Sequence, residues 1–121
     1  MERTSVRGRL GILGEHAAVE HYRSRGYRLL ARNWTCRIGE LDLVLARGST
    51  VVFCEVKARS GSAFGGPHEA VTWRKQRKLR ALAEAFLAAS VFDPDEVRFD
   101  VASVTVGTSG RPSVFVFESA F

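Results

Sequence analysis

The sequence predicts a single α/β domain, with a mixed central β-sheet flanked by α-helices. Apolar residues recur at helical spacing over 11–25 and 69–90, and β-branched, alternating segments lie between and after these stretches. The resulting order is helix, three strands, helix, two strands, an α/β sandwich. A chain of 121 residues suits one core, and it shows no repeat, low-complexity tract or linker.

In the first helix, Ile12, Ala18, Val19 and Tyr22 share a face at about 100° per residue, with Glu15 in their middle. Leu10, Leu13 and Ala17 make a second apolar strip, so the helix is expected to be covered on more than one side. Gly26 stops it. Residues 27–32 read as the first strand. Residues 40–46 and 51–58 read as a hairpin around Arg47-Gly48-Ser49-Thr50. The loop 60–67 follows, in a position suited to cover a substrate. In the second helix Leu79, Leu82, Ala83 and Phe86 form the buried face, which Thr72, Lys75 and Gln76 continue toward the N-terminus. Asp93-Pro94-Asp95 is a turn, and strands at 97–106 and 113–117 flank a second turn at 107–112.

Composition narrows the setting. The formal net charge is +5, and among 18 basic residues only Lys57, Lys75 and Lys78 are lysine. Arginine presents a planar fork of donors that suits phosphate, so the bias points to a polyanion. No apolar run reaches the roughly 20 residues of a membrane span, and residues 1–9 read as a flexible basic N-terminus without a signal sequence. Cys36 and Cys54 are too few for a disulfide framework, which fits a reducing cytoplasm.

The chemistry concentrates in the hairpin. If Ala46 faces Val51, then Val44 faces Phe53 and Asp42 faces Glu55, roughly 5 Å apart on one face. Alternation puts Lys57 on the same face as Glu55. Two opposed carboxylates favour a cation between them, and oxygen donors without matching His or Cys favour Mg²⁺ or Mn²⁺ over zinc. The Val56 carbonyl adds a hard ligand. Glu15 either completes the metal shell or pairs with a neighbouring arginine. Lys57 is placed to orient a water or neutralise charge developing on phosphorus. Glu40 is expected to face away from Asp42.

Asp42 with Glu55-Val56-Lys57 resembles the PD-(D/E)xK nuclease signature, with Leu41 where that name has proline. A preceding helical glutamate is similar to the arrangement in archaeal Holliday-junction resolvases. Gly14-Glu15, Gly39-Glu40-Leu41-Asp42-Leu43-Val44, Glu55-Val56-Lys57-Ala58-Arg59, Lys75-Gln76 with Leu79, and Arg98-Phe99-Asp100-Val101 more closely resemble the bacterial YraN-type family. The resemblance runs from about residue 8 to the C-terminus and implies a restriction-endonuclease-like fold. It also implies a metal-dependent endonuclease acting on DNA, on branched repair or recombination intermediates, or a binding module of the same fold with little turnover. Gln76 would contact the attacking water or Lys57, or serve as a satisfied polar residue at the helix start.

Arg59, Arg74, Lys75, Arg77, Lys78 and Arg80 are the candidates for nucleic-acid contacts, and a homodimer stays open. Asp100, between Phe99 and Val101, is expected to pair in the core with an arginine such as Arg98 or Arg59. His16, His21 and His68 share no spacing, Cys54 reads as inert core, and Trp34 and Trp73 suit a core or rim position.

Overall fold

The computed structural model of the chain describes residues 8–60, 71–107 and 111–121. The loop expected at 60–67, the centre of the second turn and most of the basic N-terminus lie outside these residues. The elements are α1 (Gly8–Arg23), β1 (Arg28–Cys36), β2 (Gly39–Arg47), β3 (Thr50–Ser60), α2 (Trp73–Ala88), β4 (Glu96–Val106) and β5 (Pro112–Phe117). They form an α/β fold, with a five-stranded mixed sheet in the order β1-β2-β3-β4-β5 and a helix packed on each face. The meander β1-β2-β3 is antiparallel, β4 runs parallel to β3 after the α2 crossover, and β5 closes the sheet antiparallel to β4.

Each face of the sheet has its own apolar layer. Leu43, Leu45, Val52, Cys54 and Val104 pack with Ala18, Val19 and Tyr22 of α1. Val44, Phe53 and Phe99 pack with Leu79, Leu82, Ala83 and Phe86 of α2. Strand residues therefore alternate between the two layers, as a sheet covered on both faces requires. Cys54 is buried, and that burial raises its thiol pKa, as expected of an inert core cysteine. Trp34 packs edge-on against Phe86, while Trp73 stands 70% exposed at the start of α2. No helix among the described residues is long and apolar enough to cross a membrane.

The structure departs from the sequence reading at several points. α1 runs Gly8–Arg23, so it starts inside the stretch expected as a flexible N-terminus and ends before residue 25. β1 continues to Cys36, past a bulge between Leu29 and Ala31 and through Asn33, which takes φ 53 inside the strand. α2 begins at Trp73 and not at residue 69, because Thr72 is extended and its hydroxyl accepts the Lys75 N–H at 3.1 Å, an N-cap. The second apolar strip of α1 is covered only in part: Ala17 is buried, but Leu13 is 46% exposed, and Ile12, expected on the buried face, is 57% exposed. At about 100° per residue both lie outside the buried arc of Gly14, Glu15, Ala18 and Tyr22.

The strongest polar tie in the core is Asp100, which has no exposed surface. Its two oxygens accept from Arg98 Nε and Nη2, both at 3.0 Å, from the Tyr22 hydroxyl at 2.6 Å and from the Ser119 N–H at 3.0 Å. Arg98 also donates to the Tyr27 hydroxyl at 2.9 Å. The carboxylate thus joins α1, β4 and the C-terminal tail. This matches the arginine pairing expected from sequence, with Arg98 as the partner. Removing one member of such a buried pair costs about 3–5 kcal/mol because the other charge is left unpaired. Asp100→Asn is expected to lower stability by that order in urea denaturation. Tyr22→Phe, which removes a single bond to a charged acceptor, should cost about 1.5–3 kcal/mol. Negligible losses in both variants would exclude the network as a main stabiliser.

Candidate functional site

The hairpin register follows the expected pairing through Ala46↔Val51, Val44↔Phe53 and Leu43↔Cys54, and there the β2–β3 ladder ends. Asp42 and Glu55 are not a ladder pair. Beyond Cys54 the strands part, and Asp42 Oδ2 accepts the Val56 N–H at 2.8 Å. A side-chain carboxylate occupies the position where a β2 backbone carbonyl would continue the ladder. The parting coincides with a break in alternation: Leu41 and Val44, three residues apart, both pack in the α2 layer. Ala31 and Trp34 of β1 do the same, and Asn33, between them, has the positive φ. Glu40, expected to face away, lines the same cavity as Asp42, as their two-residue spacing on one strand requires.

The fork opens a cavity of about 480 Å³, lined from β2 and β3 by Glu40, Asp42, Glu55, Val56 and Ala58, from α1 by Leu10, Gly11 and Glu15, and from α2 by Lys75, Lys78, Leu79 and Leu82. Glu15 is buried in α1, its Oε1 accepting from Asn33 Nδ2 at 3.1 Å with Arg32 Nε at 3.9 Å. Glu15 thus pairs with an arginine, one of the roles expected of it, and also borders the cavity. Gly14 brings it there. A Cβ at Gly14 would stand 2.7 Å from the Ala58 Cβ, so only glycine lets α1 approach β3 this closely.

Electrostatics set Asp42 apart. Burial first, and then the charge of Glu55, raise its pKa from 3.8 to about 7; the Val56 N–H opposes the shift, while Glu15 and Glu40 add to it. Glu55 has a local counter-ion, Lys75 Nζ, 3.2 Å from its Oε2. Among the described residues, no three acidic, histidine or cysteine side chains converge to hold a metal ion. The donors are nevertheless hard oxygens. Mg²⁺ keeps several of its waters, so two carboxylates and a carbonyl suffice as protein ligands. Asp42, Glu55, Val56 and Glu15 all border the cavity, and in chemical character they fit such a cation.

The other candidates are placed less uniformly. Val56 and Ala58 pack toward α1, which turns Glu55 and Lys57 to the α2 side of β3. Lys57 is half-buried there and is not among the described residues lining the cavity. Gln76 donates from Nε2 to the Val71 carbonyl at 2.9 Å, a structural bond at the start of α2. Of the basic residues, Lys75 and Lys78 enter the cavity wall, Arg74 and Arg77 are exposed, and Arg59 is half-buried. The Arg80 guanidinium lies over Phe99 and Phe121, at 4.8 and 5.5 Å from their ring centres. Asn33 and Glu40 are the site residues that sequence reasoning missed. Asn33 carries no periodic signal, although asparagine is enriched at positive φ.

A family model described as "Uncharacterised protein family UPF0102" matches residues 14–104, which span the candidate site from Glu15 to Lys78. The chain belongs to the UPF0102 family. Proteins named as UPF0102 members are similar to it over most of their length. One from Mycolicibacterium smegmatis is 51% identical over 111 residues, covering 90% of each chain. One from Frankia alni is 47% identical over 112 residues, 93% of each. One from Symbiobacterium thermophilum is 45% identical over 113 residues, 93% of this chain and 96% of its own. UPF0102 membership agrees with the YraN-type resemblance of the motifs.

Two outcomes follow from this geometry. The folded-state pKa of Asp42 lies above its unfolded value, so its contribution to stability is full below about pH 4 and is lost as pH rises through about 7. Asp42→Asn keeps an oxygen acceptor for Val56 but carries no charge. Its melting temperature is expected to exceed that of the wild type by a margin that widens from pH 4 to 7 and is constant above; a margin independent of pH would contradict this. Gly14→Ala should cost about 1–3 kcal/mol through overpacking. Ala58→Gly, by deleting the opposing methyl, should restore most of that loss in the double variant, and additive losses would place the strain elsewhere.

Proposed function

We propose that this chain is a metal-dependent nuclease of the PD-(D/E)xK, restriction-endonuclease-like class. It would hydrolyse DNA phosphodiester bonds in the cytoplasm, on branched repair or recombination intermediates. The observation that carries the reading is the acidic cavity at the β2–β3 fork, with Lys75 and Lys78 of α2 in its wall. Burial and then the charges of Glu55, Glu15 and Glu40 raise the pKa of Asp42, and a divalent cation would offset both.

In this reading Asp42, Glu55 and the Val56 carbonyl hold Mg²⁺ or Mn²⁺, and Glu15 completes the shell or binds a water on it. The ion would polarise a phosphate oxygen and lower the pKa of water. Lys57, beyond Glu55 on the same face of β3, neutralises charge developing on phosphorus. Gln76 steadies the start of α2 next to it. Arg74 and Arg77 grip the phosphate backbone, which makes affinity depend on salt.

A second reading, a binding module of the same fold without useful turnover, is favoured by two observations. Lys57 lies outside the cavity lining, and Glu55 already has an ammonium partner. One experiment separates the two: Mg²⁺- or Mn²⁺-dependent cleavage of single-stranded, duplex, flapped and four-way DNA by wild type, Asp42→Asn and Lys57→Ala. The nuclease reading expects cleavage that Asp42→Asn abolishes. Lys57→Ala should lower it by about 10²-fold or more, the scale of a lost transition-state donor, while DNA affinity is retained. Binding without cleavage by wild type on every substrate would leave the binding module. Undiminished cleavage by Lys57→Ala would remove the lysine from the mechanism.

A further inference from the structure

We propose that Lys75 is a displaceable internal counter-ion: in the free protein its ammonium holds the Glu55 carboxylate, and a divalent cation must take over that carboxylate and release the lysine toward an incoming phosphate. This rests on the metal reading above and adds a device to it.

Three observations support displacement over a fixed pair. First, the two partners are held unequally. The Glu55 side chain is 13% exposed in the cavity wall, whereas that of Lys75 is 45% exposed, so the lysine is the member free to leave. Secondly, Lys75 stands in the first turn of α2, after Trp73 and Arg74, and that turn contains no acidic residue. The positive pole of the helix opposes a cation there, so the pairing with Glu55 offsets an unfavourable position. Thirdly, the two ammonium groups of the wall are placed differently. Lys75 Nζ is the one paired with Glu55, at 3.2 Å, whereas the end of Lys78 lies over Gly39, where an added Cβ would stand 2.9 Å from its Cε. Lys75 is therefore the cation that a metal at Glu55 must displace. Once it leaves Glu55, its ammonium and the N-terminus of α2 present positive charge to the cavity mouth, an arrangement suited to a phosphate.

A displaced counter-ion competes with the metal, whereas a lysine that only binds nucleic acid does not. Calorimetric titration of Mn²⁺ into the DNA-free protein at pH 8 distinguishes these roles. Lys75→Met is expected to bind Mn²⁺ about fivefold or more tighter than wild type, the lower range of site-to-site coupling. Lys75→Arg should return affinity to near the wild-type value, because the charge on Glu55 is restored. Arg23→Met removes one positive charge from the far end of α1, where Arg23 pairs with Glu20 at 3.5 Å, and should leave affinity unchanged. Equal or weaker binding by Lys75→Met overturns displacement while leaving the metal site intact. So does an equal gain in Lys75→Arg or Arg23→Met. Absence of Mn²⁺ binding in all four proteins overturns the metal reading itself, and displacement with it.

Discussion

The bond from the Val56 N–H to Asp42 Oδ2 is the constraint on which the site depends. Two antiparallel strands can separate inside a protein only if the backbone groups they expose find other partners. Here one carboxylate supplies the acceptor, and the separation becomes a stable feature of the fold. Side chains from both helices then reach one space, although the sheet divides them everywhere else. Without the fork, Glu15 on one face and Lys75 on the other would never border the same cavity.

Two aspartates in this sheet illustrate how environment assigns roles. Asp100 is fully buried but receives donors from Arg98, Tyr22 and Ser119, so its charge is met on every side. Asp42 has the Val56 N–H and otherwise faces the fields of three other carboxylates. The first arrangement holds elements together. The second leaves an unmet demand for positive charge, and an unmet demand of this kind marks a reactive or ligand-binding position more often than a structural one.

Much of this was legible in the sequence, because the governing interactions are local or periodic. The hairpin register followed from a tight turn and alternation, and it held from Arg47 to Leu43. Lys75 fell on the buried face of α2 by helical spacing alone. The failures share a physical origin. Asn33 at positive φ and the coincident break beside Asp42 are breaches of alternation, and a rule of period two cannot announce its own exceptions. They hid the length of β1, whereas Glu40 shares the Asp42 face by plain period two, against the expectation that it faces away. The start of α2 was missed for a different reason: Glu69-Ala70-Val71-Thr72 can continue a helical pattern, and only the extended backbone of Thr72 sets the boundary. Exposure of Ile12 and Leu13 depends on which arc of α1 the sheet covers, and apolar residues on more than one side of the helix leave that arc open.

The parallel pairing of β3 with β4 has a consequence for how charge assembles. Among the described residues, Glu40, Asp42 and Glu55 of the cavity belong to β2 and β3, which one tight turn joins. Glu15 comes to them from α1, and Lys75 and Lys78 come from α2. The hairpin thus gathers like charges by a local contact, and the ammonium that meets Glu55 is supplied by the crossover leading to β4. Docking of α2 is drawn by that field as well as by Leu79, Leu82 and Phe86. Ionic strength would act on this docking more than on closure of the hairpin, so the crossover carries the electrostatic signature of the cavity.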